Sequence, residues 1–365
     1  MNKSLIFYKN KINRYSASSY FIRNFIFIII SILSMNNEIK AQENNKLSAE
    51  KIRIERDKTT KKASLHVAVD CAWKLFGGTS IETINLTIPI AEGQGSGVFP
   101  LNNIEDSVRY YFQLITLTDT ILVSDTHLPM AGGFNFRDIG GIKTADGHFV
   151  QWGKLFRSDD LHTLTDEDLS YLSSIPITSI VDFRSDSEIN KAPDKNPASV
   201  KQNYPFSITP GNLMEVLKIE NFDVSYLDGF MIEMNELLVT DSTYIDQYKK
   251  FFSLIQNSQD IPLLYHCSAG KDRTGMATAL VLFALGVDEK TIYENYLASN
   301  LFLADKYNKY IALKPNLKPL FEVKVEYLKA GIEKIRKDHQ TIENYLVAIL
   351  NVDIVKLKQM YLYKP

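Results

Sequence analysis

The residues most able to do chemistry lie together at 261–275, Ile-Pro-Leu-Leu-Tyr-His-Cys-Ser-Ala-Gly-Lys-Asp-Arg-Thr-Gly. Cys267 and Arg273 have five residues between them, Ser268, Ala269, Gly270, Lys271 and Asp272. A loop of that length curls around one tetrahedral anion with its backbone N–H groups pointing inward, and a following helix adds positive potential at its N-terminus. Gly270 permits a turn that a side chain would obstruct. Arg273 can clamp two phosphate oxygens in a bidentate way. Cys267 at the base of this cradle is a nucleophile once it is a thiolate, and Arg273, the amides and the helix end should depress its pKa. Thr274 can donate its hydroxyl to the sulfur. His266 then holds the loop by hydrogen bonds and need not act as a base. Phosphoryl transfer asks for little beyond placement and charge stabilisation, which is what such a loop supplies.

The elements around this segment should place it at the end of a strand. Ile261–Tyr265 is an apolar strand and Thr274–Leu285 an apolar helix. Ile175–Phe183 and Tyr244–Ile255 continue an alternation of strand-like and helical runs, which reads as an α/β unit with a mostly parallel central sheet and flanking helices over 127–365. Phe321–Tyr363 reads as helix, broken near Asp338–Thr341 and Asn351–Asp353. One Cys and one adjacent His cannot complete a tetrahedral metal site. The Gly-x-x-x-x-Gly-Lys-Ser/Thr loop of nucleoside triphosphatases is absent here. A chance match of His, Cys, Gly, Arg and Thr at these offsets arises in roughly one chain in ten thousand.

His266–Thr274 resembles the H-C-x-x-G-x-x-R-S/T signature of the cysteine-based protein tyrosine phosphatase superfamily. Three further segments resemble the bacterial branch of secreted mycobacterial and Listeria-type tyrosine and lipid phosphatases: Asn135-Phe136-Arg137-Asp138-Ile139-Gly140-Gly141, Gly153-Lys154-Leu155-Phe156-Arg157-Ser158 and Asp182-Phe183-Arg184. The resemblance spans about 129–365. It implies hydrolysis of phosphate monoesters through a cysteinyl-phosphate with no cofactor and no metal. Protein phosphotyrosine is the expected substrate, with phosphoinositides as a second class. Lys271 would add charge at the pocket rim for a substrate bearing more than one phosphate. Most members of the superfamily place their proton donor in a Trp-Pro-Asp loop, yet neither Trp73 nor Trp152 is followed by Pro-Asp. Asp272 is therefore the expected donor, with Asp182, Asp223 and Asp228 as alternatives and an ion pair with Arg273 as its structural role. Arg137, Asp138 and Asp182 are expected to support the loop, Arg184 to assist anion binding, and Arg157 to do either. Two other readings stay open: an inositol polyphosphate phosphatase, which needs a wide basic pocket, and a catalytically silent phosphate-binding or adhesion module.

The remainder of the chain has another texture. Between 43 and 126, short runs rich in β-branched and aromatic residues (Lys51–Arg56, Ala63–Val69, Trp73–Phe76, Ile81–Ile90, Tyr110–Leu117, Thr120–Ser124) alternate with turn clusters such as 92–97. That spacing predicts a small all-β sandwich, immunoglobulin-like, joined to the next unit near Asp125–Pro129. Residues 1–24 carry Lys and Arg with no acid, followed by the apolar run Phe25–Leu33, about half of the roughly 20 residues that cross a bilayer. Residues 1–42 thus read as a signal peptide, and the mature protein as periplasmic or secreted with no membrane span.

The chain has 365 residues, a net charge of −2 and 23% charged residues. That balance excludes a global basic field for nucleic acid, so anion binding must be local. Cys71 and Cys267 fall in different expected units, which argues against a disulfide even in an oxidising compartment. Cys71 reads as a core residue. Bulky apolar residues crowd 205–250, as core or as a lid over the site. No feature of the sequence sets an oligomeric state.

Overall fold

The computed structural model describes residues 47–48, 50–209 and 224–364. Residues 1–42, read above as a signal peptide, and Asp223 lie outside the described residues.

The chain begins with two small antiparallel sheets packed face to face. The first orders its strands β1 (Ile52–Arg56), β2 (Ala63–Val67) and β5 (Gly97–Pro100). The second runs β4 (Ala91–Gln94), β3 (Ala72–Gly78), β6 (Tyr111–Thr116) and β7 (Thr120–Val123). β1 alternates buried and exposed residues, and β2 alternates buried and half-buried ones. Their inner sides, with Trp73, Leu75, Phe112 and Leu114, form one apolar core. Such alternation is what a half-buried strand requires.

One expected strand is absent. Ile81–Ile90 forms a single 3₁₀ turn, Ile81–Thr83, followed by irregular chain. Its alternation faces water, with Leu86 and Ile88 exposed, and Pro89 cannot donate to a ladder. The strands lie instead in the cluster 92–97 that reads as a turn. Gly93 sits in β4 because a Cβ there would come within 2.5 Å of the Trp73 ring. Its role is close approach, and only Gly95 and Ser96 make the crossing between sheets.

The second part is built on a five-stranded sheet in the order β12 (Gln202–Pro205), β11 (Ser179–Asp182), β13 (Leu263–His266), β10 (Leu155–Ser158), β8 (Arg137–Asp138). All neighbours are parallel except β8 against β10. The three central strands are buried throughout, as expected of a parallel sheet covered on both faces. The helices are α1 (Asp166–Ser174), α2 (Asp186–Lys191), α3 (Val224–Thr240), α4 (Ser242–Ile255), α5 (Arg273–Leu285), α6 (Glu289–Leu313), α7 (Val325–His339) and α8 (Ile354–Tyr361). The predicted breaks near 338–341 and 351–353 fall where α7 ends and just before α8 begins. A short ribbon of β9 (Phe149–Val150) and β14 (Leu362–Tyr363) ties in the C-terminus. Leu227, Met231, Met234 and Leu238 of α3 are buried, so this part of the apolar 205–250 stretch is core. No described helix is long and apolar enough to cross a membrane.

The joint between the two parts is not an open linker. Asp125, Leu128 and Met130 are buried. Asp125 accepts from the Tyr171 hydroxyl at 2.9 Å and lies 3.7 Å from Arg56.

Candidate active site

β13 delivers the nucleophile and α5 leaves it. The parallel register sets His266 beside Ser158 and Asp182, so three strand ends converge on one loop. Gly270 has φ +64, and a Cβ on it would lie 2.2 Å from the Ser158 carbonyl oxygen. The loop can close against β10 only with glycine there.

Cys267 is 3% exposed at the base of the loop. Burial would push its thiol up, but Arg273, the Thr274 hydroxyl and the amides of Thr274 and Ala269 outweigh it, and the pKa falls below the ordinary thiol value. The sulfur is thus prepared as a thiolate at lower pH than a free cysteine. The Thr274 hydroxyl is buried beside the sulfur.

Arg273 is fixed by a partner that the sequence reading missed. Glu188, in α2, grips the guanidinium with two oxygens, each 2.8 Å from an Nη. The Arg273 Nη1 also donates to the carbonyls of Phe183 and Ile208. Burial alone would push Glu188 up; Arg273 and Ser268 hold it down at about 2. Ser268 donates its hydroxyl to the same carboxylate. Glu188 closes a capping box with Ser185 at the start of α2, so Ser185-x-x-Glu188 was the local signal that could have found it. Arg273 therefore pairs with Glu188, and the ion pair with Asp272 that was the structural alternative for that residue is not the one formed.

His266 is fully buried, 3.2 Å from Asp194 and 3.8 Å from Asp182. Burial lowers the imidazole pKa, but the two carboxylates dominate and push it up to about 9. A protonated imidazole cannot serve as a base, so His266 braces the loop, with its Nδ1 3.3 Å from the Cys267 carbonyl. Arg184 does not reach toward the anion site as expected. All three of its nitrogens are engaged by Asp182, Asp194 and the Ala192 carbonyl. Asp182, Asp194 and His266 are close enough together to hold a metal, but Arg184 already pairs with both carboxylates and the cationic imidazole supplies the second positive charge. The cluster works as a charge-balanced brace.

Lys271 also departs from expectation. Its side chain is buried, donating to the Glu322 carbonyl at 3.0 Å and lying 3.1 Å from Asp272. It does not stand at the rim. Asp272 lies on the loop itself, 3.3 Å from the Tyr296 hydroxyl, with 13% of its side chain exposed. The alternative donors fare differently. Asp182 is held by Arg184, and Asp228 of α3 is bound by Lys324, just before α7, and by Tyr327 of α7. Burial would raise Asp228, but Lys324 and Tyr327 keep it low.

The floor is built by residues from elsewhere in the sheet. Asn135 donates to the carbonyls of Ala269 (3.1 Å) and Gly270 (3.0 Å). Arg157 donates to Gly270 at 2.6 Å and to Asn295. Arg137 donates to the Asn295 carbonyl and Ser299, beneath the loop. Asp138 accepts from the amides of Gly140 and Gly153. With the Ala269 and Gly270 carbonyls held outward, the amides of the same peptide units, those of Gly270 and Lys271, can turn inward. Lys306 of α6 reaches Asp159 and the Ser268 carbonyl. The site so assembled offers a buried thiol of lowered pKa, an immobilised arginine and inward amides, which together can bind a tetrahedral dianion and attack its phosphorus.

The sequence profile of the Tyrosine phosphatase family matches residues 128–363. The chain belongs to the tyrosine phosphatase family. The matched stretch contains every loop and floor residue described above. A protein of Cupriavidus necator provisionally named as a tyrosine-protein phosphatase is 34% identical over 242 residues, 62% of this chain and 85% of its own. The Triple specificity protein phosphatase PtpB of Mycobacterium tuberculosis is 31% identical over 194 residues, 47% of this chain and 68% of its own. The strands before residue 128 lie outside the matched family region. The chain is thus a cysteine-based phosphatase of the α/β class, preceded by an all-β unit.

Proposed function

We propose that this phosphatase hydrolyses phosphotyrosine on proteins through a cysteinyl-phosphate. The Cys267 thiolate attacks phosphorus, and the P–O bond to the tyrosyl oxygen breaks. Asp272 gives its proton to that oxygen. Water then attacks phosphorus, Asp272 takes the water proton, the P–S bond breaks and inorganic phosphate leaves. Arg273 and the amides hold the equatorial oxygens throughout.

The observation that carries this reading is the depth of Cys267 beneath a loop whose arginine is locked by Glu188. A nucleophile so deep favours a phosphate on a long, rigid stem, and phosphotyrosine has one. Lys271, expected to add charge at the rim for a second phosphate, is turned inward. We also infer that the chain is exported, from its basic start and the apolar run at 25–33. The test of export is the mass of the mature protein, expected to begin near residue 43.

The test of function is phosphate release at pH 5–7 by the protein and by Cys267→Ser, on phosphotyrosine peptide, phosphoserine peptide, phosphoinositides and inositol hexakisphosphate. Release from phosphotyrosine that Cys267→Ser abolishes is the expected result. Equal rates in both proteins under reducing conditions would remove the mechanism. A preference for inositol hexakisphosphate would move the substrate class.

A further inference from the structure

The all-β unit sends two buried cations into the phosphatase part. Lys61 follows β1 on the β1–β2 turn and is 8% exposed. Its Nζ donates to the Pro129 carbonyl and, at 2.7 Å, to Asp168. The two Asp168 oxygens also accept from the amides of Ala131 (2.9 Å) and Gly132 (2.8 Å). One ammonium and one carboxylate therefore pin 129–132, the stretch that runs directly into Asn135. Lys61 makes this reach from φ +59, a left-handed backbone that favours glycine or asparagine. A lysine kept at a strained position points to use of its side chain.

The second cation is Arg109, fully buried ahead of β6. It donates to Asp138 at 2.8 Å, to the Asp125 carbonyl and to Ser124. Its guanidinium lies 5.1 Å from the centre of the Phe156 ring. It thereby fixes β8 and its neighbour β10, where Phe156 pairs with Asp138 and Arg157 with Arg137.

Both routes end on one atom. The Gly270 carbonyl oxygen accepts from Asn135 at 3.0 Å and from Arg157 at 2.6 Å. Asn135 hangs from the segment that Lys61 pins, and Arg157 sits on the strand pair that Arg109 pins. We propose that Lys61 and Arg109 are positioning residues by which the all-β unit holds the catalytic loop in its anion-binding shape, acting through Asn135 and Arg157. The unit is on this reading part of the catalytic scaffold, not a separate recruiting module. The inference rests on the loop being the phosphatase site proposed above.

The experiment uses the full chain with Lys61→Met, Asn135→Ala and the double variant. Two quantities are read at a temperature where circular dichroism shows each protein folded. One is kcat/KM for phosphotyrosine peptide. The other is the pH midpoint of Cys267 alkylation by iodoacetamide, followed on the Cys267 peptide by mass spectrometry. A loosened loop takes amides and Arg273 away from the sulfur, so its alkylation curve moves to higher pH. Lys61→Met is expected to lower kcat/KM roughly 10- to 100-fold, the scale of a small misplacement of reacting groups. It should raise the midpoint, and it should add little once Asn135 is already alanine. Ile121→Val, in the core of the all-β unit, should lower Tm and move neither quantity. If Lys61→Met does not fold, Lys61→Arg keeps the charge but not the fit to both acceptors, and the same coupling to Asn135→Ala is expected. A folded Lys61 variant with wild-type kcat/KM and midpoint overturns the proposal, as does an equal loss with and without Asn135. Absence of Cys267-dependent turnover in the wild type would remove the enzymatic reading instead, and the alkylation midpoint would still decide this one.

Discussion

At the residue scale, the division of labour within the loop turns on charge. Cys267 is made acidic by Arg273 and donors close to it, and Arg273 is kept straight by Glu188. Asp272, proposed above as the proton donor, is shared between two neighbours. Asp272 sits on the loop between Lys271 and Tyr296. If it moves the proton, Asp272→Asn should lower kcat on phosphotyrosine about 100-fold, in the range of a lost general acid. The loss should shrink with aryl phosphates whose leaving oxygen needs no proton. A rate series across such esters checks this, and a uniform loss would assign Asp272 to structure. The nucleophile, the arginine and the loop amides were legible in the sequence because they are contiguous and their spacing alone defines the cradle. Lys306 and the role of Asn135 were not, because only the fold brings them to it, and Glu188 showed in the sequence only as a helix cap. Arg184 misled for a related reason: an arginine at a strand end looks available until Asp182 and Asp194 are seen to occupy it.

At the scale of elements, the end of β13 is held by a buried cationic imidazole between two carboxylates. The His266 pKa is about 9 in the fold, against about 6.5 for an unperturbed imidazole. The folded state therefore binds the proton more tightly than the unfolded one. Its contribution is complete below about pH 6.5 and is lost as pH rises through about 9, and it is worth on the order of 3 kcal/mol. Thermal unfolding between pH 6.5 and 9.5 should show a falling Tm, and Asp194→Asn should flatten the fall. A Tm that holds constant in the wild type would contradict it. The strands and helices around the site follow from buried apolar runs, which is why β11, β13 and α5 could be read within a few residues. The error at 81–90 has the opposite origin. Alternation was real there but it faces solvent, while β4 hid behind Gly93, whose missing side chain makes room for Trp73.

At the scale of the whole molecule, the two parts share buried charge. Arg109 with Asp138 and Lys61 with Asp168 cross between them, and all four residues are buried. Removing one member of a buried pair costs on the order of 3–5 kcal/mol. Residues 127–365 expressed alone should therefore be poorly soluble or inactive beside the full chain, as read by size exclusion, circular dichroism and phosphate release. A folded fragment with full activity would contradict this. The sequence suggested a sandwich but not its embrace of the neighbouring unit, because the partners of Lys61 and Arg109 lie 107 and 29 positions away. One further consequence concerns the order in which the chain is made. Arg109 is separated from Asp138 by 29 positions, and Lys61 from Asp168 by 107. Synthesis from the N-terminus brings both cations out well ahead of their carboxylates. Until residue 168 has emerged, Lys61 lacks the carboxylate that it meets in the fold, so the buried contact between the two parts can close only after much of the second part has been made.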